Sequence, residues 1–289
     1  MNTLKNIQVL LTAIDSGSFT RAGEILGYTQ SNLTQMMRAF EEEIGFPLLI
    51  KTKRGVEPTQ EAKQLIPAMR AMLAQEERFF QEADSIRGIS RGKIRIGTFV
   101  STSTSWLPQL LSYFQTHYPE VVFEIQESGQ DEMERGLLDG ALDITLMSQP
   151  EHNTLDFIPL IEDPMLVVFS DKHDLSSYDY VPVSALADYP FIMTYQSFDR
   201  DVRKIFTDVD FEPQVRYYFK DDFAVLSTVQ YGLGIAILPE LIVEKFPGDY
   251  DCRMLDPETY RTLGIGIKSL KDAGPLARFV ISYLQENIK

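Results

Sequence analysis

One stretch of this chain admits few folds: Ser18-Phe19-Thr20-Arg21-Ala22-Gly23-Glu24-Ile25-Leu26-Gly27-Tyr28-Thr29-Gln30-Ser31-Asn32-Leu33-Thr34-Gln35. It reads as a short helix, a tight turn and a second helix. Ser18 is placed to cap the first helix by accepting a backbone N–H, and Thr29 to cap the second. Ala22, Ile25 and Leu26 fall at i, i+3 and i+4, which gives the first helix one apolar face before Gly27 ends it. Leu33, Met37, Phe40 and Ile44 form the inner stripe of the second helix. Ser31, Asn32, Thr34 and Gln35 are then left facing outward on its first turns. Short polar side chains at that place are what a helix needs to reach base edges in the major groove of DNA. An ordinary helical hairpin has the same spacing, so spacing alone leaves both readings open.

The next segment narrows the choice. Two extended runs, Phe46 to Thr52 and Val56 to Thr59, flank Lys53-Arg54-Gly55, a hairpin signal. Lys53 and Arg54 sit at its tip, where a wing reaches phosphates or the adjacent minor groove. A solvated turn is the plain alternative.

These residues carry a resemblance. Gly17 to Glu24, Thr29 to Met37, Phe40-Glu41-Glu42-Glu43-Ile44-Gly45 and Lys53 to Ala62 follow, in order and without gaps, the motifs of the LysR-type transcriptional regulators. Residues 1 to about 88 resemble that family's N-terminal domain, and the remainder resembles its effector-binding domain. The resemblance implies an α+α/β chain. A winged helix-turn-helix would cover 1–58 and a linker helix 59–88. A two-lobed α/β effector domain, similar to periplasmic binding proteins, would cover 91–289. Lobe I is expected at about 91–162 and 267–289, and lobe II at about 163–266. Three departures bear on DNA preference: Ser31 replaces a usual proline, Gln35 a frequent arginine and Met36 a common polar residue. Gln and Asn favour adenine edges where Arg favours guanine, which points to an A/T-leaning site.

Charge needs to be divided before it is read. The chain of 289 residues carries −15 overall, which looks wrong for a partner of DNA. Residues 1–88 hold 10 Lys and Arg against 11 Asp and Glu, so the acid lies mostly in the remainder. Phosphate contact dominates DNA affinity. Arg21, Arg38, Lys51, Lys53 and Arg54 would supply it locally, with linked copies adding avidity. No signal peptide or bilayer-spanning run is read, and a single cysteine, Cys252, fits a reducing cytoplasm.

Thr59 is placed to cap a helix from about Gln60 to Arg87. Ala62, Leu65, Ile66, Met69, Met72, Leu73, Glu76, Phe79, Phe80, Ala83 and Ile86 give it a coiled-coil-like stripe, with Pro67 inside it. A surface helix packed on its own domain is one reading. Pairing with a second subunit is the other, and the resemblance implies it. Ile86 to Gly92 reads as a hinge.

From Lys93 strands and helices alternate, which predicts an α/β domain with a mainly parallel sheet. Ligands in such folds bind at strand C-terminal ends, here between two lobes. Thr98-Phe99-Val100-Ser101-Thr102-Ser103-Thr104-Ser105 lies between a strand and a helix start, where hydroxyls and free N–H groups suit an anion. A Ser/Thr-rich cap serving only its own helix is equally consistent. The resemblance places the effector at this turn and implies as its contacts Thr98, Phe99, Ser101, Thr102, Ser103, Thr145, Met147, Tyr195, Gln196, Ser197, Asp222 and Phe223. Phe99, where a hydroxyl is usual, makes a partly apolar effector an equal candidate. Gly232 to Pro239 matches a further family motif whose glycines permit a tight helix-to-strand turn.

The expectation is a cytoplasmic transcriptional regulator controlled by a small molecule, without cofactor or metal. Thr29, Gln30, Ser31, Asn32, Thr34, Gln35, Arg38, Lys53 and Arg54 would form the DNA contact. Promoter DNA, an effector and further copies in a homodimer or homotetramer are the expected partners, with RNA polymerase a further candidate. An enzyme is disfavoured: His117, His152 and His173 lack metal-ligand spacing, and no nucleophile elbow or phosphate loop occurs. The rival is a solute-binding sensor whose N-terminal helices serve assembly.

Overall fold

The computed structural model describes residues 3–52, 55–86, 91–195 and 200–288. The chain divides into two compact units near residue 88.

The first unit opens with helix α1 (Thr3–Ser16), which buries Ile7, Leu10 and Leu11 on one face. Helix α2 (Phe19–Leu26) starts at Ser18, whose hydroxyl accepts the Arg21 N–H, and stops at Gly27 in the left-handed region. Helix α3 (Gln30–Ile44) starts at Thr29 and stops at Gly45, again left-handed. Leu33, Met37 and Phe40 are fully buried among the α1 and α2 side chains, as the stripe predicts. Ile25 departs from expectation. It is 66% exposed, and Phe19, Ala22 and Gly23 form the buried face instead. This helix of eight residues makes little more than two turns, and only part of its apolar arc is covered.

Strands β1 (Leu49–Thr52) and β2 (Gly55–Pro58) pair antiparallel as the wing. Lys53 and Arg54, expected at its tip, lie outside the described residues. The Glu41 carboxylate of α3 accepts the N–H groups of Leu48 and Leu49 at 2.7 and 3.1 Å, which fixes where the wing begins. Thr59 accepts the Ala62 N–H and donates to the Pro47 carbonyl, both at 3.0 Å, so one side chain caps helix α4 (Gln60–Ile86) and ties it to the wing. Ala62 and Met69 of α4 enter the core, while Met72, Phe79 and Phe80 stay exposed.

In the second unit a mixed sheet runs in the order β4-β3-β5-β12-β6-β11-β7, with β10 also on β6. Its strands are β3 (Gly92–Thr98), β4 (Val121–Glu127), β5 (Ile144–Ser148), β6 (Asp156–Phe169), β7 (Tyr180–Pro182), β10 (Ala236–Pro239), β11 (Asp251–Asp256) and β12 (Tyr260–Ile267). Helices α5 (Val100–Ser105), α6 (Leu107–His117), α7 (Gln130–Leu138) and α11 (Pro275–Asn287) belong to the first lobe. Lobe II adds β8 (Phe191–Thr194) and β9 (Val215–Phe219), paired parallel, with α8 (Arg200–Asp208), α9 (Asp222–Gln230) and α10 (Glu240–Lys245).

The sheet is less parallel than the alternation predicts. Only Met165 to Phe169 reads as a strand in the sequence, yet β6 spans 14 residues and pairs antiparallel with β12, β10 and β11. Pro159 and Pro164 mask its first half in the sequence; the structure accommodates both. The same long strand serves both lobes. Residues 156–164 pair with β12, and 165–169 with β10 and β11. The chain returns to the first lobe along β12, which pairs with β5 from Leu263. Residues 98–105, read as a turn, include the one-and-a-half-turn helix α5.

Gly55 tests the wing. Its φ is +125°, and a Cβ there would run into the Gly17 carbonyl oxygen, which accepts the Val56 N–H at 2.9 Å. Gly55→Ala should therefore destabilise the protein by on the order of 1–3 kcal/mol. Chemical denaturation of the two proteins reads this directly.

Candidate functional site

In the first unit the outward face of α3 is polar and open. Gln30, Ser31, Asn32, Thr34, Gln35 and Arg38 are all exposed. Gln30, Ser31, Thr34, Gln35 and Arg38 border one concave surface. Two expected residues have local duties as well. Thr29 accepts the Asn32 N–H at 3.3 Å, and the Thr34 hydroxyl donates to the Gln30 carbonyl at 2.9 Å. Arg38 carries the longest side chain on this face, one turn from Gln35. The inner stripe fixes the backbone beneath them, since Leu33 and Phe40 bury almost completely.

In the second unit the strand crossing makes a second site. Asp163 on β6 and Arg261 on β12 are register partners. Arg261 donates to the Asp163 carboxylate at 2.7 and 2.9 Å, and to the Ser101 hydroxyl at 2.8 Å. Both members of the pair are buried, Asp163 at 1% exposure. The other Asp163 oxygen accepts the Leu241 N–H at the start of α10. Arg261 also lies 3.7 Å from Asp201, whose carboxylate accepts the Ser148 hydroxyl at 2.7 Å. Arg200 reaches from α8 to Glu134 on α7 at 2.8 Å and to Glu151 at 3.4 Å. Burial lowers the Arg200 pKa, but the bonds and charges of Glu151 and Glu134 outweigh it and leave that pKa raised. These pairs span the two lobes.

A narrow cavity lies beside this network. Phe99, Ser101, Gln130, Asp201, Asp222 and Arg261 line it, with Met193, Val225 and Leu238 completing an apolar wall. Of the expected effector contacts it therefore gathers Phe99, Ser101 and Asp222. Thr98 and Thr102 are fully buried beneath it and hydrogen-bond each other at 2.7 Å. Ser103 turns to Glu127 at 2.5 Å. Thr145 bonds the Gly266 carbonyl, and Met147 packs with Met133, Leu137 and Leu142. Tyr195 is half exposed and stacks on Tyr218, while Phe223 packs on Phe246. Gln196 and Ser197 lie outside the described residues. The expected anion turn is thus already occupied by its own side chains.

Arg261, Asp163 and Gln130 went unread in the sequence, although a signal was present. Arg261 is in phase with Leu263, Ile265 and Ile267, and Asp163 with Met165, Val167 and Phe169. A charge on the buried phase of a strand marks either a pair or a site. Asp222 has a different signature. Asp221 caps α9 through the Ala224 N–H, which leaves the next carboxyl to point inward. Asp222 is half-buried, and burial pushes its pKa up to about 6 against the pull of Arg261.

Residues 4–63 match the family described as bacterial regulatory helix-turn-helix protein, lysR family, and residues 87–289 match the LysR substrate binding domain. The chain belongs to the LysR family. It is 28% identical over 287 residues to the uncharacterized HTH-type transcriptional regulator YvbU of Bacillus subtilis, covering 98% of each chain. Full-length OxyR C199D from Pseudomonas aeruginosa shares the fold at a TM-score of 0.77 and 19% identity, over 100% of this chain and 95% of that one. CbnR in complex with its target DNA gives 0.66 at 17% identity, over 98% and 99%. This LysR-family protein is accordingly a DNA-binding transcriptional regulator with an effector-binding domain. Among the described residues no helix is long and apolar enough to cross a membrane.

Two measurements check the second site. Asp163→Ala leaves Arg261 buried without its main partner and should cost about 3–5 kcal/mol in denaturation. The Asp222 pKa is raised from 3.8 to about 6 in the fold, so the fold favours its neutral form. That stabilisation is complete below the unfolded value and is lost as pH rises through the folded one. Asp222→Asn should therefore raise Tm at pH 7.5, with the gain vanishing below pH 4.

Proposed function

We propose that this regulator reads promoter DNA through α3 and its wing. Gln30, Ser31, Asn32, Thr34 and Gln35 face base edges, with Thr29 setting the start of the helix. Arg38, Lys53 and Arg54 anchor phosphates or the minor groove. The observation that carries this reading is the α3 face: exposed, polar and uncharged through Gln35, with the first cation at Arg38. Gln35 and Asn32 favour adenine, which suits an A/T-leaning half-site.

Assembly follows from helix α4. Its exposed Met72, Phe79 and Phe80 favour pairing with a second copy, and effector domains pairing again would give a tetramer. Two-fold pairing presents two recognition helices to two half-sites. The cavity between the lobes is the effector site. A ligand that prefers one lobe arrangement shifts the population of assembly shapes, and with it the bend or spacing of bound DNA. Contact with RNA polymerase, in the cytoplasm, would turn that change into transcription. No catalytic step enters this scheme.

Footprinting on DNA upstream of the protein's own gene tests it. Protection of an imperfect palindrome is expected, weakening steeply between low and moderate salt. Gln35→Ala should lose about 1–3 kcal/mol of binding at a particular base pair. No protection at low salt on any genomic fragment would return the N-terminal helices to an assembly role.

A further inference from the structure

The cavity beside Arg261 has an unequal set of charges. Arg261 faces three carboxylates: Asp163 at 2.7 Å, Asp201 at 3.7 Å and Asp222 at longer range. Arg200 is likewise outnumbered, by Glu134, Glu151 and Asp131. Glu240 of α10 adds a further carboxyl near Asp163, its pKa raised by burial and by the charges of Glu244 and Asp163. Lys220 also lines the cavity, but it is exposed, where solvent screens its charge.

Both guanidiniums are therefore already engaged. An anionic ligand would have to displace a carboxylate from one of them. Two acceptors remain without partners. Asp222 has no hydrogen bond or ion pair among the described residues. Gln130 is 1% exposed, and its Nε2 donates to Glu134 and to the Ser148 carbonyl, yet its Oε1 has no partner. A buried amide oxygen left open is costly and marks a place for a donor. Of the hydroxyls that would suit an anion, Thr98 and Thr102 are turned inward, and Ser103 is taken by the Glu127 carboxylate.

From this geometry we infer that the effector of this regulator is a small primary amine, bound as its ammonium ion between Asp222 and the Gln130 Oε1, with its carbon body on Phe99, Met193, Val225 and Leu238. The inference rests on the reading of this cavity as the effector site and names its ligand class. An ammonium brings three donors and a positive charge to a site with spare acceptors and excess negative charge. The cavity of about 50 Å3 suits a small ligand, and a neighbouring cleft of about 300 Å3 shares Gln130, Arg200, Asp201 and Arg261 with it. A carboxylate on the ligand would meet Asp201 or Asp222, and among the lining residues only the exposed, solvent-screened Lys220 stands outside the ion pairs to offset them.

Titration calorimetry on the full chain at pH 7.5 tests this with n-butylammonium and butyrate, which share a carbon body and differ in charge. Butylammonium should bind at least tenfold more tightly than butyrate. Asp222→Asn should weaken butylammonium at least tenfold, and Gln130→Met should weaken it as well, each variant being checked for its fold by circular dichroism. Butyrate binding equally well, no butylammonium binding, or unchanged affinity in folded Asp222→Asn protein would each overturn the inference. Gln35→Ala separates the two levels. If it loses the footprint and keeps amine binding, the cavity and the DNA face are independent. If the wild type leaves a footprint but binds no amine, the regulator stands and only the ligand class falls.

Discussion

The effector domain is organised around one buried pair, Asp163 with Arg261, where β6 and β12 cross from lobe to lobe. Such a pair adds little net stability, because desolvation offsets the attraction. Its effect is on register. A slip of β12 by one residue would turn Arg261 to the opposite face and leave each charge without its partner, so the alignment of the crossing strands is strongly specified. The pair also fixes what surrounds it. Arg261 holds Ser101 at the start of α5, Asp163 holds the first turn of α10, and the cavity takes its floor from the same guanidinium.

The DNA-binding unit is specified by shorter-range means. Ser18, Thr29 and Thr59 each start a helix by accepting a backbone N–H, and Gly27 and Gly45 each end one. Glu41 and Thr59 then locate the wing by bonding its backbone. The apolar stripe of α3 is used up by the core, and Ser31, Asn32, Gln35 and Arg38 are left exposed on the opposite face. That division of one helix into a packed face and an idle polar face is the physical basis for reading it as a recognition helix.

Much of this could be read from residue order. Caps, stops, the α3 stripe and the wing are local patterns, and local patterns survive in a sequence. Ile25 was misjudged because periodicity says which residues share a face and not whether a neighbour covers it. The first half of β6 was missed because Pro159 and Pro164 break a strand pattern that the sheet nonetheless tolerates. Which of the expected effector contacts line the cavity was legible only in part. Phe99, Ser101 and Asp222 reach the cavity, whereas Thr98, Thr102 and Met147 satisfy their own surroundings.

By itself the sequence determined the order of domains, the helix boundaries of the first unit and the outward residues of α3, since each depends on neighbours within a few positions. Tertiary structure alone decided the cavity between the lobes. Asp163 and Arg261 are far apart in the chain, as are Gln130 and Asp222, and no periodicity links them. Whether a carboxyl is paired, and whether a hydroxyl faces a ligand or its own helix, depends on what the fold brings within about 3 Å of it.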